Sequence, residues 1–168
     1  MKQLQAYINE KLVLSKNTFK NNYKYFPKNI DEFNEIIYKL IEEREDQDII
    51  DLNDIDTSKL KDMRLIFFNN KEIEKIDISY WNVSNVTTMS GMFWNCENLK
   101  YVGNLSSWDV SKVTDMDSMF EYCKKLKDVG DISEWKVSLD KTSMKDMFNR
   151  CGISIIPDWY DEEENNTY

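Results

Sequence analysis

The chain has 168 residues, 41% of them hydrophobic and 13% aromatic, with a formal net charge of −9. That length suits one compact domain with at most a small appendage. The negative balance argues against general nucleic-acid binding, which needs a basic surface for phosphate, and no apolar run approaches the ~20 residues of a membrane-spanning helix.

Residues 1–48 are expected to form a basic arm and a capping helix. In the arm, Lys2, Lys11, Lys16, Lys20, Lys24 and Lys28 face Glu10 alone. The arm is expected to pack its apolar residues on the body and leave the lysines in water, with docking of an acidic partner or RNA as the alternative. Its start has neither a continuous apolar core nor a small-residue cleavage site, so it does not read as a secretory signal, and a cytoplasmic protein is expected. Asn29 with Glu32 three residues on reads as a capping box, and Phe33, Ile36, Ile37, Leu40 and Ile41 recur at the spacing of one helix face. The helix is expected to end near Glu45. Asp46 to Asp56 invites a calcium reading and fails it: a loop starting at Asp51 needs an oxygen ligand and then Gly where Ile55 and Asp56 stand. Ile50, Leu52 and Ile55 read instead as a first strand with the acids turned outward.

Residues 49–160 say one thing repeatedly. Trp81, Trp108 and Trp135 fall 27 residues apart, and each opens a Trp-x-Val-Ser stretch. A Met-x-x-Met-Phe-x-x-Cys signature follows each, at Met89 to Cys96, Met116 to Cys123 and Met144 to Cys151. Asp62, Met63, Ile66 and Phe67 form a fainter upstream copy. A period of this length marks a stack of units, each unable to bury its own apolar side. The spacing in Ile73-Ile76-Ile78, Leu99-Val102-Leu105 and Leu126-Val129-Ile132 predicts strands. The three-to-four spacing within the Met-Phe-Cys signature predicts a short helix or 3₁₀ turn. Gly103 and Gly130 match each other and predict a tight bend, and Thr87, Thr114 and Thr142 align for bonding between units. After Cys151 the pattern degrades to a shortened unit ended by Pro157 and closed by Trp159 and Tyr160. Residues 161–168 have the composition of an acidic disordered tail.

The stretches DISYWNVSNVTTMSGMF, NLSSWDVSKVTDMDSMFEYCKKL and DISEWKV resemble the BspA-like leucine-rich repeat surface proteins of bacteria and their mobile elements. The resemblance covers residues 52 to 156. It implies an α/β solenoid that binds other macromolecules and shares no catalytic residues. The expected fold class is therefore α/β, a short right-handed leucine-rich-repeat-like solenoid of about four rungs with an N-terminal helical cap.

The three cysteines occupy one place in their repeats. Such positions on neighbouring rungs sit about 5 Å apart, which suits a column of buried thiols and is also compatible with a disulfide. A metal is the least favoured use, because the chain has no histidine and no Cys-x-x-Cys pair. The missing histidine also removes the commonest general base and the usual nucleophile triads. No cofactor, no metal and no enzymatic activity are expected, and the partner expected is a protein, with no direct nucleic acid and no membrane. Residues that break the repeat are the informative ones, since a residue the core required would recur. Tyr80, Trp94, Tyr101 and Tyr122 change type from rung to rung and are the candidate anchors of a non-enzymatic protein-binding module. The alternative is a phage- or mobile-element-encoded intracellular inhibitor of a host defence or nucleic-acid-binding complex. Its acidic surface would draw on Glu42, Glu43, Asp48, Asp51, Asp54 and Asp56.

Overall fold

The computed structural model describes residues 23–166; the expectations for the arm over residues 1–22 and for the last two tail residues lie outside the described residues. Helix α1 spans Ile30–Glu43. Asn29 caps it by accepting the Glu32 amide at 2.9 Å, while the Glu32 carboxylate accepts the Lys28 amide at 3.0 Å. The predicted face is the buried one: Phe33, Ile37 and Leu40 enter the core and Ile36 and Ile41 pack at its edge. Phe33 meets Trp81 edge to face at 5.2 Å.

The last residue of the helix region ties it to the first repeat. Arg44 grips Asp54 through two hydrogen bonds of 3.1 and 2.8 Å and also donates to the Asp51 carbonyl. Both side chains are largely buried, with 15% and 18% of their surface exposed. A forked guanidinium satisfies a partly buried carboxylate better than a point charge does.

Tyr25, ahead of the helix, bridges in parallel to Ile55, and the other bridges among the described residues are parallel and join neighbouring repeats. Strands β1 (Ile50–Asp51) and β2 (Ile76–Asp77) pair with Ile50 opposite Ile76, and Lys75 then bridges to Tyr101. A second line of bridges runs Asp62 to Thr88 to Asp115 to Ser143. The strands are shorter than the apolar spacing predicts, Leu99-Val102-Leu105 keeping one bridge and Leu126-Val129-Ile132 forming no strand, because each stretch is cut by a turn held by its own side chain. Asp51, Asp77, Asn104 and Asp131 each accept the amide two residues on, from Asn53, Ser79, Ser106 and Ser133 at 2.9–3.0 Å. Gly103, at φ +90°, makes the expected bend and also the room for it: a Cβ there would lie 2.4 Å from Ser79 Oγ. The threonines bond between repeats as predicted, with Thr114 Oγ1 donating to the Thr87 carbonyl at 3.2 Å and Thr142 Oγ1 to that of Val113 at 2.9 Å.

The Met-x-x-Met-Phe segment is not a helix. Its amides point alternately inward to the local turn and across to the next repeat. Met63, Leu65, Phe67 and Asn69 donate to the carbonyls of Thr88, Ser90, Met92 and Trp94. Gly91, Phe93 and Asn95 donate in turn to Asp117, Met119 and Glu121. A left-handed residue recurs at every fourth place, at Leu65 and Asn69, Gly91 and Asn95, Ser118 and Tyr122, then Asp146 and Arg150. Each such residue breaks the helical hydrogen-bond series and frees carbonyls for the neighbour. The apolar spacing is the same for a helix and for a turn reset every four residues, which is why the spacing misleads.

Inside, side chains stack in columns. Phe67, Phe93, Phe120 and Phe148 lie nearly parallel with centroids 5.2, 5.5 and 5.8 Å apart. Trp108, Trp135 and Trp159 follow at 6.3 and 6.1 Å. Trp159 thus takes the tryptophan place of a further unit, and its indole donates to the Ile132 carbonyl at 3.0 Å, as Trp135 does to Leu105. Tyr160 closes the phenylalanine column edge-on at 5.0 Å. Residues expected as the start of a disordered tail form a one-turn helix, α2 (Glu162–Asn165), capped by Asp161 and joined to the last turn where the Asp146 amide donates to the Asn165 carbonyl at 2.7 Å.

Phe120 is fully buried between two rings of its column. Phe120→Ala should lower unfolding free energy in urea by ~3–5 kcal/mol. A loss under ~1 kcal/mol would show that the column does not carry the packing assigned to it.

Candidate functional site

The acidic candidates are mostly spent on the fold. Asp54 is held by Arg44, and Asp51 accepts both the amide and the side-chain NH₂ of Asn53 at 3.0 and 2.8 Å. Asp56 accepts the Ser58 amide at 3.0 Å, and Asp48 meets Lys75 Nζ at 2.5 Å. Glu42 and Glu43 lie exposed on α1, where Glu43 is 3.6 Å from Lys39. Aspartate is frequent here because short side chains turn corners.

The aromatic candidates separate. Tyr80 and Tyr101 are half-buried on the strand side, and the Tyr80 amide donates to Asn53 Oδ1 at 2.8 Å. Tyr122 lies on the turn side with backbone φ +59°. Arg150 sits 5.3 Å from its ring centre and donates to its hydroxyl at 3.1 Å, while Lys124 is 5.8 Å from the ring. Trp94, also on the turn side, is 38% exposed and 5.0 Å from Phe68, which is 43% exposed.

Sequence reasoning missed two members of this last group. Phe68 precedes Trp94 in the same column, and Leu65 precedes Gly91 in the next. Leu65 is 49% exposed. A Cβ on Gly91 would lie 2.6 Å from Leu65 Cδ2 and 3.7 Å from Trp94 Cε3, so leucine and tryptophan flank one point. Leu65, Phe68 and Trp94 therefore form one apolar strip across two repeats. Leu65 also holds a left-handed backbone at φ +58°. A left-handed conformation costs an L-residue about 1–2 kcal/mol, and leucine has no local hydrogen bond to offset it. A strained leucine turned to water does little for the core. The available signal was the column itself: Phe68, Trp94, Glu121 and Asn149 occupy one place, and two aromatics precede two polar residues.

The cysteines form a column of thiols. Cys96 donates to the Phe67 carbonyl at 2.9 Å and Cys123 to that of Phe93 at 3.0 Å. Cys151, at the degraded end, turns to Ile153 at a weak 3.9 Å. All three are free. Burial pushes the Cys96 thiol up to about 11 and raises Cys123 and Cys151 as well, so none is an activated nucleophile. Among the described residues no group of three or more His, Cys, Asp or Glu side chains could hold a metal ion. No helix among them is long and apolar enough to cross a membrane.

A tandem-repeat protein with an apolar strip on its turn side is the class that this geometry defines. The chain belongs to the family described as Mycoplasma protein of unknown function, DUF285, whose model matches residues 35–154. No curated protein and no solved structure matches it.

Two outcomes follow from this geometry. Leu65→Asn relieves the left-handed strain and removes a half-exposed side chain, so stability in urea should change by less than about 1 kcal/mol. A loss above about 2 kcal/mol would make Leu65 a core residue. The raised Cys96 thiol stabilises the fold below its ordinary value of 9.0, and that stability drains away as pH climbs toward about 11. Unfolding free energy should therefore fall across that interval, and Cys96→Ala should fall less; equal slopes would contradict the burial of the thiol.

Proposed function

We propose that the chain is a short right-handed solenoid of the BspA-like type and that it acts as a non-enzymatic protein-binding module. Parallel bridges that join neighbouring repeats from Ile50 to Ser143 support the solenoid reading. The binding surface is the strip of Leu65, Phe68 and Trp94. One observation carries it: large apolar side chains stand in water together, at column places where later repeats are polar, and one of them holds a strained backbone. Exposed aromatics clustered on a rigid scaffold bind at low entropic cost and make good anchors. Local strain at an exposed site is a further pointer to function.

The partner is a protein, and the setting is a reducing compartment such as the cytoplasm, supported by three free thiols. An inhibitor with an acidic, nucleic-acid-like surface is the less favoured reading, because Asp51, Asp54 and Asp56 are engaged within the fold and Asp48 is paired with Lys75.

The test is a partner-capture experiment with the full chain as bait in cells of its native source. Phe68→Ala with Trp94→Ala should weaken recovery of the main partner by more than about tenfold while leaving the thermal midpoint nearly unchanged. Recovery should vary little between low and high salt, since an apolar anchor is not screened. Capture that survives the double variant, or collapses with salt alone, would overturn the assignment.

A further inference from the structure

We propose that the last rung of the stack is a strand-accepting cleft, which takes an extended polypeptide segment carrying an apolar side chain next to a basic one. Three successive repeats set the pattern. The Leu52 amide donates to the Asp77 carbonyl at 2.9 Å, Ile78 to Val102 at 3.2 Å and Leu105 to Val129 at 2.8 Å. Ile132 is fourth in this series. It is 4% exposed, and among the described residues its amide meets no acceptor. A main-chain amide beside a cleft with no protein acceptor is free to donate to a carbonyl brought in by a bound segment.

The acceptor is missing because the segment after Cys151 does not pair with this edge. Ile153, Ile155 and Pro157 stand across from residues 127–133 and leave a cleft of about 540 Å³. Pro157 brings no amide of its own to that wall. Ile155 is 86% exposed there, the most exposed large apolar residue among those described. An amide donor on one wall and apolar side chains on the other are what a strand added at a sheet edge requires.

Charge narrows the occupant. Asp128 and Asp131 line the cleft beside Lys127. Each carboxylate accepts from its own turn, Asp128 from the Gly130 amide at 2.8 Å and Asp131 from the Ser133 amide at 3.0 Å and the Ser133 hydroxyl, and neither forms an ion pair among the described residues. Two carboxylates against one ammonium favour a lysine or arginine on the incoming segment. A second copy of the chain is poorly placed to supply the strand from its own first repeat. The carbonyl in the matching place there, that of Asp51, is already taken by Arg44, and α1 packs over that end.

Selection of a random dodecapeptide library on the full chain tests this, followed by NMR of the labelled protein with the recovered peptides. Recovered sequences should place an apolar residue beside Lys or Arg and should slow hydrogen exchange at the Ile132 amide by at least about tenfold. Ile155→Asp, at an exposed position, should abolish that binding. Asp128→Asn with Asp131→Asn, which keeps both turns, should weaken it by about tenfold at low salt. Peptides that bind Ile155→Asp equally well, or leave Ile132 exchange unchanged, overturn the proposal, as does a selection that recovers nothing. Protection of Ile132 that appears with protein concentration alone would make a second copy the occupant and equally overturn it.

Discussion

The structure depends on one arrangement of the main chain. On the turn side, every second amide leaves its own repeat and donates to the next, as Phe67 does to Met92 and Phe93 to Met119, both at 2.9 Å. A helix would satisfy those amides locally and leave the repeats with only side-chain contacts. Left-handed residues at every fourth place prevent that. Once the backbone is committed to the neighbour, spacing between repeats is fixed near that of strands. The Phe and Trp columns then stack ring on ring at 5.2–6.3 Å because the backbone has put them in register.

That constraint explains the composition. Each unit must turn several corners within 27 residues or so, and corners turned without glycine need short polar side chains that accept their own backbone amides. The chain has four glycines and 31 acidic residues. Asp51, Asp56, Asp62, Asp77, Asp109, Asp115 and Asp131 each accept an amide two residues on. Part of the negative charge is thus a by-product of turn-making.

What the sequence made legible follows from what repeats. The period, the buried faces of Trp, Met, Phe and Cys, and the capped helix with Phe33, Ile37 and Leu40 inward could all be read, because burial imposes a pattern on residue type. The strand lengths could not, because Asp77 and Asn104 end strands through side-chain bonds that apolar spacing does not register. The turn ladder was hidden because Met-x-x-Met-Phe fits a helix equally well. Among the site candidates, Trp94 was legible as a residue that breaks its column. Its neighbours Phe68 and Leu65 were not, since they belong to the fainter first copy, where no register stood out to mark a break. Arg44 was also missed, as a single charged residue past a helix end gives no sign of which carboxylate it will grip.

The most direct test of the account is through-hydrogen-bond scalar coupling measured by NMR at the Phe93 amide nitrogen. Coupling to the Met119 carbonyl carbon, across the gap between repeats, is the expected result. Coupling to the carbonyl of Met89, four residues back as in an α-helix, would contradict it.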